Sequence, residues 1–216
     1  SSTQLSINYA YYSDIHIANN FFYYTNSSNN IYLAGSSNYK ADKVIIENNI
    51  FKTTYTGNGS IYNVQISNSD FLFVRNNYFD VSSNFTNYNH RGVSTSSIGI
   101  YDFQYNFTNT SDGNFNEGSG TIQTIANNTY STSLSYNTTS QNSLGNVSSS
   151  AGQNAGSQLP ECRDIDNTQN DIGTFGGPHS WSNYHNSSTS MAQILDLEIP
   201  YYQIVLPGTQ INFKSK

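Results

Sequence analysis

The sequence predicts an all-β fold, a right-handed parallel β-helix solenoid with coils of about 22–29 residues followed by a C-terminal two-strand tail. Three observations carry that expectation. A unit made of an apolar residue, Asn-Asn and an aromatic ring recurs along the chain, its spacing is that of a solenoid coil, and the composition suits strands and turns better than helices.

Composition bounds the answer first. The 216 residues are enough for one domain or one run of stacked repeats plus a tail. Only 10% are charged and 35% hydrophobic, whereas Asn, Ser and Thr number 32, 33 and 19. Those three residue types compete with helical backbone bonds and favour turns. The 18 Tyr and 12 Phe, with many Ile and Val, supply the apolar surface that disordered chains lack. A net charge of −6 with eight basic residues offers no cationic track, so nucleic acid is excluded as a partner, and an anionic membrane surface with it. No run of about 18 apolar residues exists, so no membrane-inserted helix is expected. The single cysteine, Cys162, rules out an internal disulfide framework and reads as a small buried filler. The polar opening Ser1 to Gln4 reads as a mature start or an internal fragment.

The repeat organises the rest. Asp14-Ile15-His16-Ile17-Ala18-Asn19-Asn20-Phe21-Phe22 is echoed by Lys43-Val44-Ile45-Ile46-Glu47-Asn48-Asn49-Ile50-Phe51 and by Phe71-Leu72-Phe73-Val74-Arg75-Asn76-Asn77-Tyr78-Phe79. Weaker copies follow at Tyr101 to Phe107 and at Thr124 to Tyr130. Aligned on the second Asn, the marks are Asn20, Asn49, Asn77, Asn106 and Asn128, separated by 29, 28, 29 and 22 residues. Three places earlier stand Ile17, Ile46, Val74, Phe103 and Ile125; two places later stand Phe22, Phe51, Phe79, Thr108 and Tyr130. Alternation puts Ile15 with Ile17, Val44 with Ile46 and Leu72 with Val74 on one face of a short strand. Asn tolerates the left-handed conformation of a sharp corner, so each Asn pair ends its strand. Stacking then predicts a ladder of like amides and a ladder of rings along the axis.

A second strand per coil is expected at Ile31-Tyr32-Leu33, at Ile61 to Ile66 and at Ile98-Gly99-Ile100, with lateral loops at 25–30, 56–60 and 82–89. An opening strand is expected at Leu5 and Ile7. In the last coil Gln123 replaces an apolar residue and the spacing shortens, which predicts less regular geometry after about residue 120. Further on, Gln193 to Pro200 and Gln203 to Phe213 read as two strands around a Pro-Gly turn. The expected division is therefore a β-helix with its closing segment over 1–182 and a tail over 183–216. That tail is the start of an immunoglobulin-like module, a strand pair packed on the chain's own solenoid, or an element that pairs subunits.

At Asn154-Ala155-Gly156 and Asp164-Ile165-Asp166-Asn167-Thr168-Gln169-Asn170-Asp171-Ile172-Gly173-Thr174-Phe175-Gly176-Gly177-Pro178 the chain resembles the segment that closes many right-handed parallel β-helix proteins of the pectate-lyase-like superfamily. It departs from the pattern at Asn167, where the family more often has Gly, and Cys162 is not part of it. With the repeats, the resemblance covers roughly residues 5 to 182. It implies an extracellular or cell-surface protein in contact with glycans; it chooses no chemistry, because the family holds lyases, hydrolases, adhesins and phage spikes alike.

Candidate sites follow from residue chemistry. A β-eliminating lyase needs a cationic base near the sugar, and the nearest cluster is Arg75, Asp80, His90 and Arg91. A solvated polar surface is the preferred reading of that cluster. A hydrolase needs two carboxylates at a set separation, yet Asp70, Asp80, Asp102 and Asp112 repeat at no fixed offset. Asp164, Asp166, Asn170 and Asp171 place four oxygen donors in eight residues, a density that suits Ca²⁺, while Asx turns that bond their own backbone are the preferred alternative. No other cofactor is expected. Nine sequons begin at Asn26, Asn58, Asn84, Asn106, Asn109, Asn127, Asn137, Asn146 and Asn186, no enrichment over the roughly eight that composition alone gives. Tyr9 to Tyr12 with Phe21 to Tyr24 read as core or ladder rings or as sugar-stacking platforms. The leading functional expectation is a non-enzymatic extracellular structural or adhesive protein, a stalk or filament subunit whose partners are glycans or copies of itself. A polysaccharide lyase or hydrolase and a glycan-binding module are the alternatives.

Overall fold

A computed structural model describes residues 5–8, 13–24, 30–35, 39–54, 61–81, 90–111, 115, 117–139 and 144–180. All of them belong to one compact unit, Ser1–His185. The two strands expected between residues 193 and 213, the lateral loops at 56–60 and 82–89, and most of the loop at 25–30 lie outside the described residues.

Eleven strands occur among the described residues, and every strand pairing is parallel. The first repeat holds β1 (Leu5–Asn8), β2 (Ser13–Ala18) and β3 (Phe21–Tyr24), and the second holds β4 (Ile31–Ala34), β5 (Ala41–Glu47) and β6 (Ile50–Thr53). The third holds β7 (Ile61–Arg75) and β8 (Tyr78–Val81), the fourth β9 (His90–Gln104) and β10 (Phe107–Thr108), and the fifth β11 (Ile122–Ala126). One sheet has seven strands and the other four, in the order β10-β8-β6-β3. Parallel neighbours with like residues in register are compatible with a solenoid.

The register follows the sequence repeat. Ile17, Ile46, Val74, Phe103 and Ile125 are successive partners across β2, β5, β7, β9 and β11, and the first four are buried. Leu72 and Val74 point the same way by alternation and join Val44, Ile46, Val64, Ile66 and Val93 in one core. The rings two places after the first three Asn pairs stack in this core, Phe22 on Phe51 at 5.1 Å and Phe51 on Phe79 at 5.0 Å, with nearly parallel planes. In the fourth repeat Thr108 takes that place, and Phe115 packs on Phe79 at 5.2 Å from a neighbouring segment.

Two strands are longer than the sequence suggests. In β7 and β9 the two short strands expected of each coil are continuous, with a positive φ at Asn68 (57°) and Ser97 (56°) marking the bend between halves. The second strand of the fourth repeat is consequently the N-terminal half of β9, where Val93 pairs with Val64. Ile98-Gly99-Ile100, expected in that role, instead belongs to the other half, beside Ser69 to Phe71. The reason is local: Gly92 and Val93 carry no strand-like run in sequence, yet Val93 is the residue that fills the core column.

From Ser131 the chain leaves the repeats and runs as a strap over the outer face of the four-stranded sheet. Leu134, Val147 and Ile172 of the strap cover Ile50, Tyr78 and Phe107, while Phe21, Tyr136 and Ala155 pack at the margin. The strands below are therefore apolar on both faces, which explains adjacent pairs such as Ile50-Phe51 and Tyr78-Phe79. Gly176 and Gly177 let the strap reach the corners. A Cβ on Gly176 would sit 1.9 Å from the Asp171 carbonyl oxygen, and Gly177 has a φ of 77°.

Each corner begins with a left-handed residue: Asn19, Asn48, Asn76, Tyr105 and Asn127 have φ between 54° and 57°. Tyr105 is the exception in type, and a bulky side chain in this region costs about 1–2 kcal/mol. Tyr105→Asn is expected to stabilise the protein by about 1 kcal/mol, read as a rise in the urea midpoint at unchanged m-value.

Candidate functional site

The corners carry two columns of Asn with different partners. In the inner column, the backbone N–H and the side-chain Nδ2 of one Asn both donate to Oδ1 of the next. The N–H bonds measure 2.9 Å from Asn20 to Asn49, 3.0 Å from Asn49 to Asn77, 3.1 Å from Asn77 to Asn106 and 2.9 Å from Asn106 to Asn128. Each Nδ2 also reaches back to a carbonyl of the preceding repeat: Asn49 to Ile17, Asn77 to Ile46, Asn106 to Val74 and Asn128 to Phe103. Asn49, Asn77 and Asn106 are buried and amply bonded, so the ladder ties repeat to repeat.

The outer column holds the strap. Asn19 Nδ2 donates to the carbonyls of Thr174 (3.0 Å) and Gly176 (2.8 Å). Asn48 Nδ2 donates to Asn170 Oδ1 (2.7 Å) and to the Asp171 carbonyl (2.9 Å). Asn76 Oδ1 accepts from the Ser157 N–H at 2.7 Å. Sequence reasoning gave both Asn of the pair one role; the second role depends on a segment more than 80 residues away and has no local signal.

A charged cluster sits beside these corners. Glu47 accepts from Arg75 Nε at 2.8 Å and pairs with His16 Nε2 at 2.7 Å. Burial alone would raise the Glu47 pKa, but the hydrogen bond with His16 and the Arg75 guanidinium outweigh it, and the carboxyl is held below its ordinary range. The His179 ring of the strap meets His16 edge-on at 5.5 Å. Burial pushes the Cys162 thiol up, against the nearby Arg75 guanidinium and a hydrogen bond with Ser157.

The lyase candidates do not gather around Arg75. Asp80, on β8 in the other sheet, accepts from the Tyr136 hydroxyl and from Asn109 Nδ2 (2.8 Å). Burial, then Asp80, push the Tyr136 hydroxyl well above its ordinary pKa, and burial does the same to Tyr78. His90 and Arg91 open β9, where their backbone pairs with Ile61 and Tyr62, at the opposite end of the strand from Gln104, the partner of Arg75. Their side chains lie outside the described residues. Of the carboxylates weighed for hydrolysis, Asp70 pairs with Lys40 at 2.6 Å and Asp102 accepts from Gln104 at 2.8 Å, while Asp112 is outside the described residues.

The four oxygen donors of the closing segment turn to the backbone and to the corners. Asp164 accepts from the N–H of Gly177 and Asp171, Asp166 from the N–H and hydroxyl of Thr168, and Asp171 from the Asn154 N–H. Asn170 is engaged with Asn48 and donates to the Cys162 carbonyl. Among the described residues no three His, Cys, Asp or Glu side chains are grouped as a metal ion requires. Asn167 has a φ of 66°, a conformation Gly adopts freely and Asn tolerates, which accounts for the departure from Gly at that position.

Burial raises the Asp164 pKa to about 6, with Asp171 adding to the rise and the Gly177 N–H opposing it. A pKa raised above its unfolded value stabilises the fold below that unfolded value, and the contribution fades as pH rises through about 6. Stability is therefore expected to fall by on the order of 1–2 kcal/mol between pH 4 and pH 7, discounted for the partly exposed site. Asp164→Asn removes most of that slope in thermal melts across the range; Asp171, also raised by burial, leaves the remainder.

The sequons sort by environment. Asn106 is buried in the ladder, and Asn109 Nδ2 is bound to Asp80 and to the Val81 carbonyl. Asn127 and Asn146 are exposed and Asn137 is half-buried; Asn26, Asn58, Asn84 and Asn186 lie outside the described residues. Asn137 and Asn146 line an open depression of about 460 Å³ together with Tyr136 and Thr139. Comparison with protein-family models, with curated proteins and with solved structures finds no match to the chain.

Proposed function

We propose that the chain is a right-handed parallel β-helix serving as a non-enzymatic structural or adhesive protein outside the cell, a stalk or filament subunit. Parallel strands of one sheet joined by crossovers are right-handed in about 98% of cases, which supports the hand. The resemblance of residues 154–178 to the closing segment of pectate-lyase-like proteins supports the extracellular setting. One observation carries the non-enzymatic reading. The buried Glu47 and the half-buried carboxyl groups each serve the frame: Glu47 joins Arg75 and His16, Asp80 anchors the strap through Tyr136, and Asp164 and Asp171 fasten the strap to itself.

Two experiments test this reading. Acidic polysaccharides incubated with the full chain and followed by the ultraviolet absorbance of unsaturated products should give no turnover; product formation would overturn it. Size exclusion and negative-stain microscopy should find assemblies, and monomers alone would count against a stalk or filament. The depression between Asn137 and Asn146, lined by amides, hydroxyls and the Tyr136 ring, favours glycan binding as the second reading. Retention on neutral glycan arrays without turnover is its signature.

A further inference from the structure

The inner Asn ladder has a direction, and its two ends are complementary. Every rung donates forward and accepts from behind, so the fifth repeat ends on a donor and the first on an acceptor. Asn128 spends its Nδ2 on the Phe103 carbonyl, and its N–H has no partner among the described residues. Asn20 donates through its N–H and Nδ2, while its exposed Oδ1 accepts from no described group. The strands beside them match in the same way. Among the described residues β11 pairs only with β9 and β2 only with β5, so each has one parallel edge that no described strand covers.

The β11 edge also lacks the usual protection. Free edges are commonly blunted by charge or proline, yet Ile122-Gln123-Thr124-Ile125-Ala126 has neither. Ile125 is 37% exposed, whereas Ile46, Val74 and Phe103, which hold its place in rungs paired on both sides, are buried.

We infer that the β11 end of one copy of this chain docks on the β2 end of a second copy, so that the rungs and the Asn ladder continue across the junction. This deepens the proposed filament reading and rests on it. Continuing the register places Ile17 of the second copy over Ile125, Ile15 over Gln123 and Phe22 over Tyr130. The Asn128 N–H then donates to Asn20 Oδ1, and Asn20 Nδ2 gains the Ile125 carbonyl, the bond that Asn49, Asn77 and Asn106 make one repeat further on. The contact joins unlike faces, so it repeats without closing and produces a filament.

The junction would set Asp14 of one copy beside Ile122 of the next, because Asp14, Lys43, Phe71, Ile100 and Ile122 form one outward column. Full-length Asp14→Cys and Ile122→Cys variants, each with Cys162→Ser, are oxidised singly and as a mixture. The expected result is a mixed disulfide only in the mixture, since paired rungs bring Cα atoms within bridging range. In a cysteine-free chain, Gln123→Lys should weaken assembly at least about tenfold by burying an unpaired charge, with the monomer's melt unchanged. An Ile122→Cys homodisulfide would mean that like ends meet, and assembly without any cross-link would mean lateral contact. Either overturns the junction while leaving self-assembly standing. Monomers at all concentrations, the result expected if residues 181–216 or another segment covers β11, overturn both.

Discussion

Asn77→Ala is expected to cost about 4 kcal/mol, enough to remove much of the stability of a domain this size. Asn77 is fully buried and stands in the middle of the ladder. Its Oδ1 accepts from the N–H and Nδ2 of Asn49 at 3.0 and 3.1 Å, and its Nδ2 donates to Ile46, Arg75 and Asn106 at 2.9, 2.9 and 3.0 Å. Truncation removes these bonds and leaves the Asn49 N–H without its acceptor where water cannot reach, while the Asn49 Nδ2 keeps the Ile17 and Glu47 carbonyls and the Arg75 carbonyl keeps the Asn48 N–H. A buried group left unsatisfied costs about 1–3 kcal/mol. Asn77→Asp should be no milder, because it turns a donor into an acceptor facing carbonyl oxygens. Asn20→Ala, at the exposed end, should cost about 1 kcal/mol or less. Urea unfolding of the three variants checks the ranking, and equal costs for Asn77 and Asn20 would show that the ladder does not hold the repeats together.

The same ladder explains why some of this fold was legible in the sequence. The spacing from Asn20 to Asn128 and the apolar residue three places earlier are local signals that repeat, and the strand register follows them. The bends at Asn68 and Ser97 have weaker marks, since Ser is an uncommon left-handed residue, so β7 and β9 could not be read as continuous strands. The strap is visible as a motif but not as a cover, because its contacts with Asn19 and Asn48 span more than 120 residues. Within the Asn pair, residue type is the same while the partner differs: the first residue faces the strap and the second faces the next repeat. The charged cluster was half legible. Glu47 and Arg75 share a column one repeat apart and could have been found from the alignment, whereas His16 joins from the neighbouring column.

That cluster sets the second large effect. Glu47→Ala is expected to cost about 3 kcal/mol, because it strands the Arg75 guanidinium at a site where that side chain is only 18% exposed. Burial, the largest influence, lowers the Arg75 pKa, but Glu47 together with Cys162 and Glu161 outweighs it, so the guanidinium stays charged and without Glu47 must find another counter-charge or water. Glu47→Gln keeps a hydrogen-bond acceptor and should cost less, about 1–2 kcal/mol. Removing both charges in Glu47→Leu with Arg75→Leu should bring stability back to within about 1 kcal/mol of the parent, as apolar replacement of a buried pair usually does. The pH dependence has the opposite sign to that of Asp164. A carboxyl whose folded pKa is lowered contributes stability above its unfolded value near 4.5, and the contribution is lost as pH falls through the folded value. The parent should therefore soften in acid below about pH 4.5, and Glu47→Leu with Arg75→Leu should soften less. A double-mutant cycle by urea unfolding at pH 7 and pH 3 separates the terms. If the single and double variants lose equal stability, the cluster is an incidental surface pair, and the strap is held by the Asn corners without it.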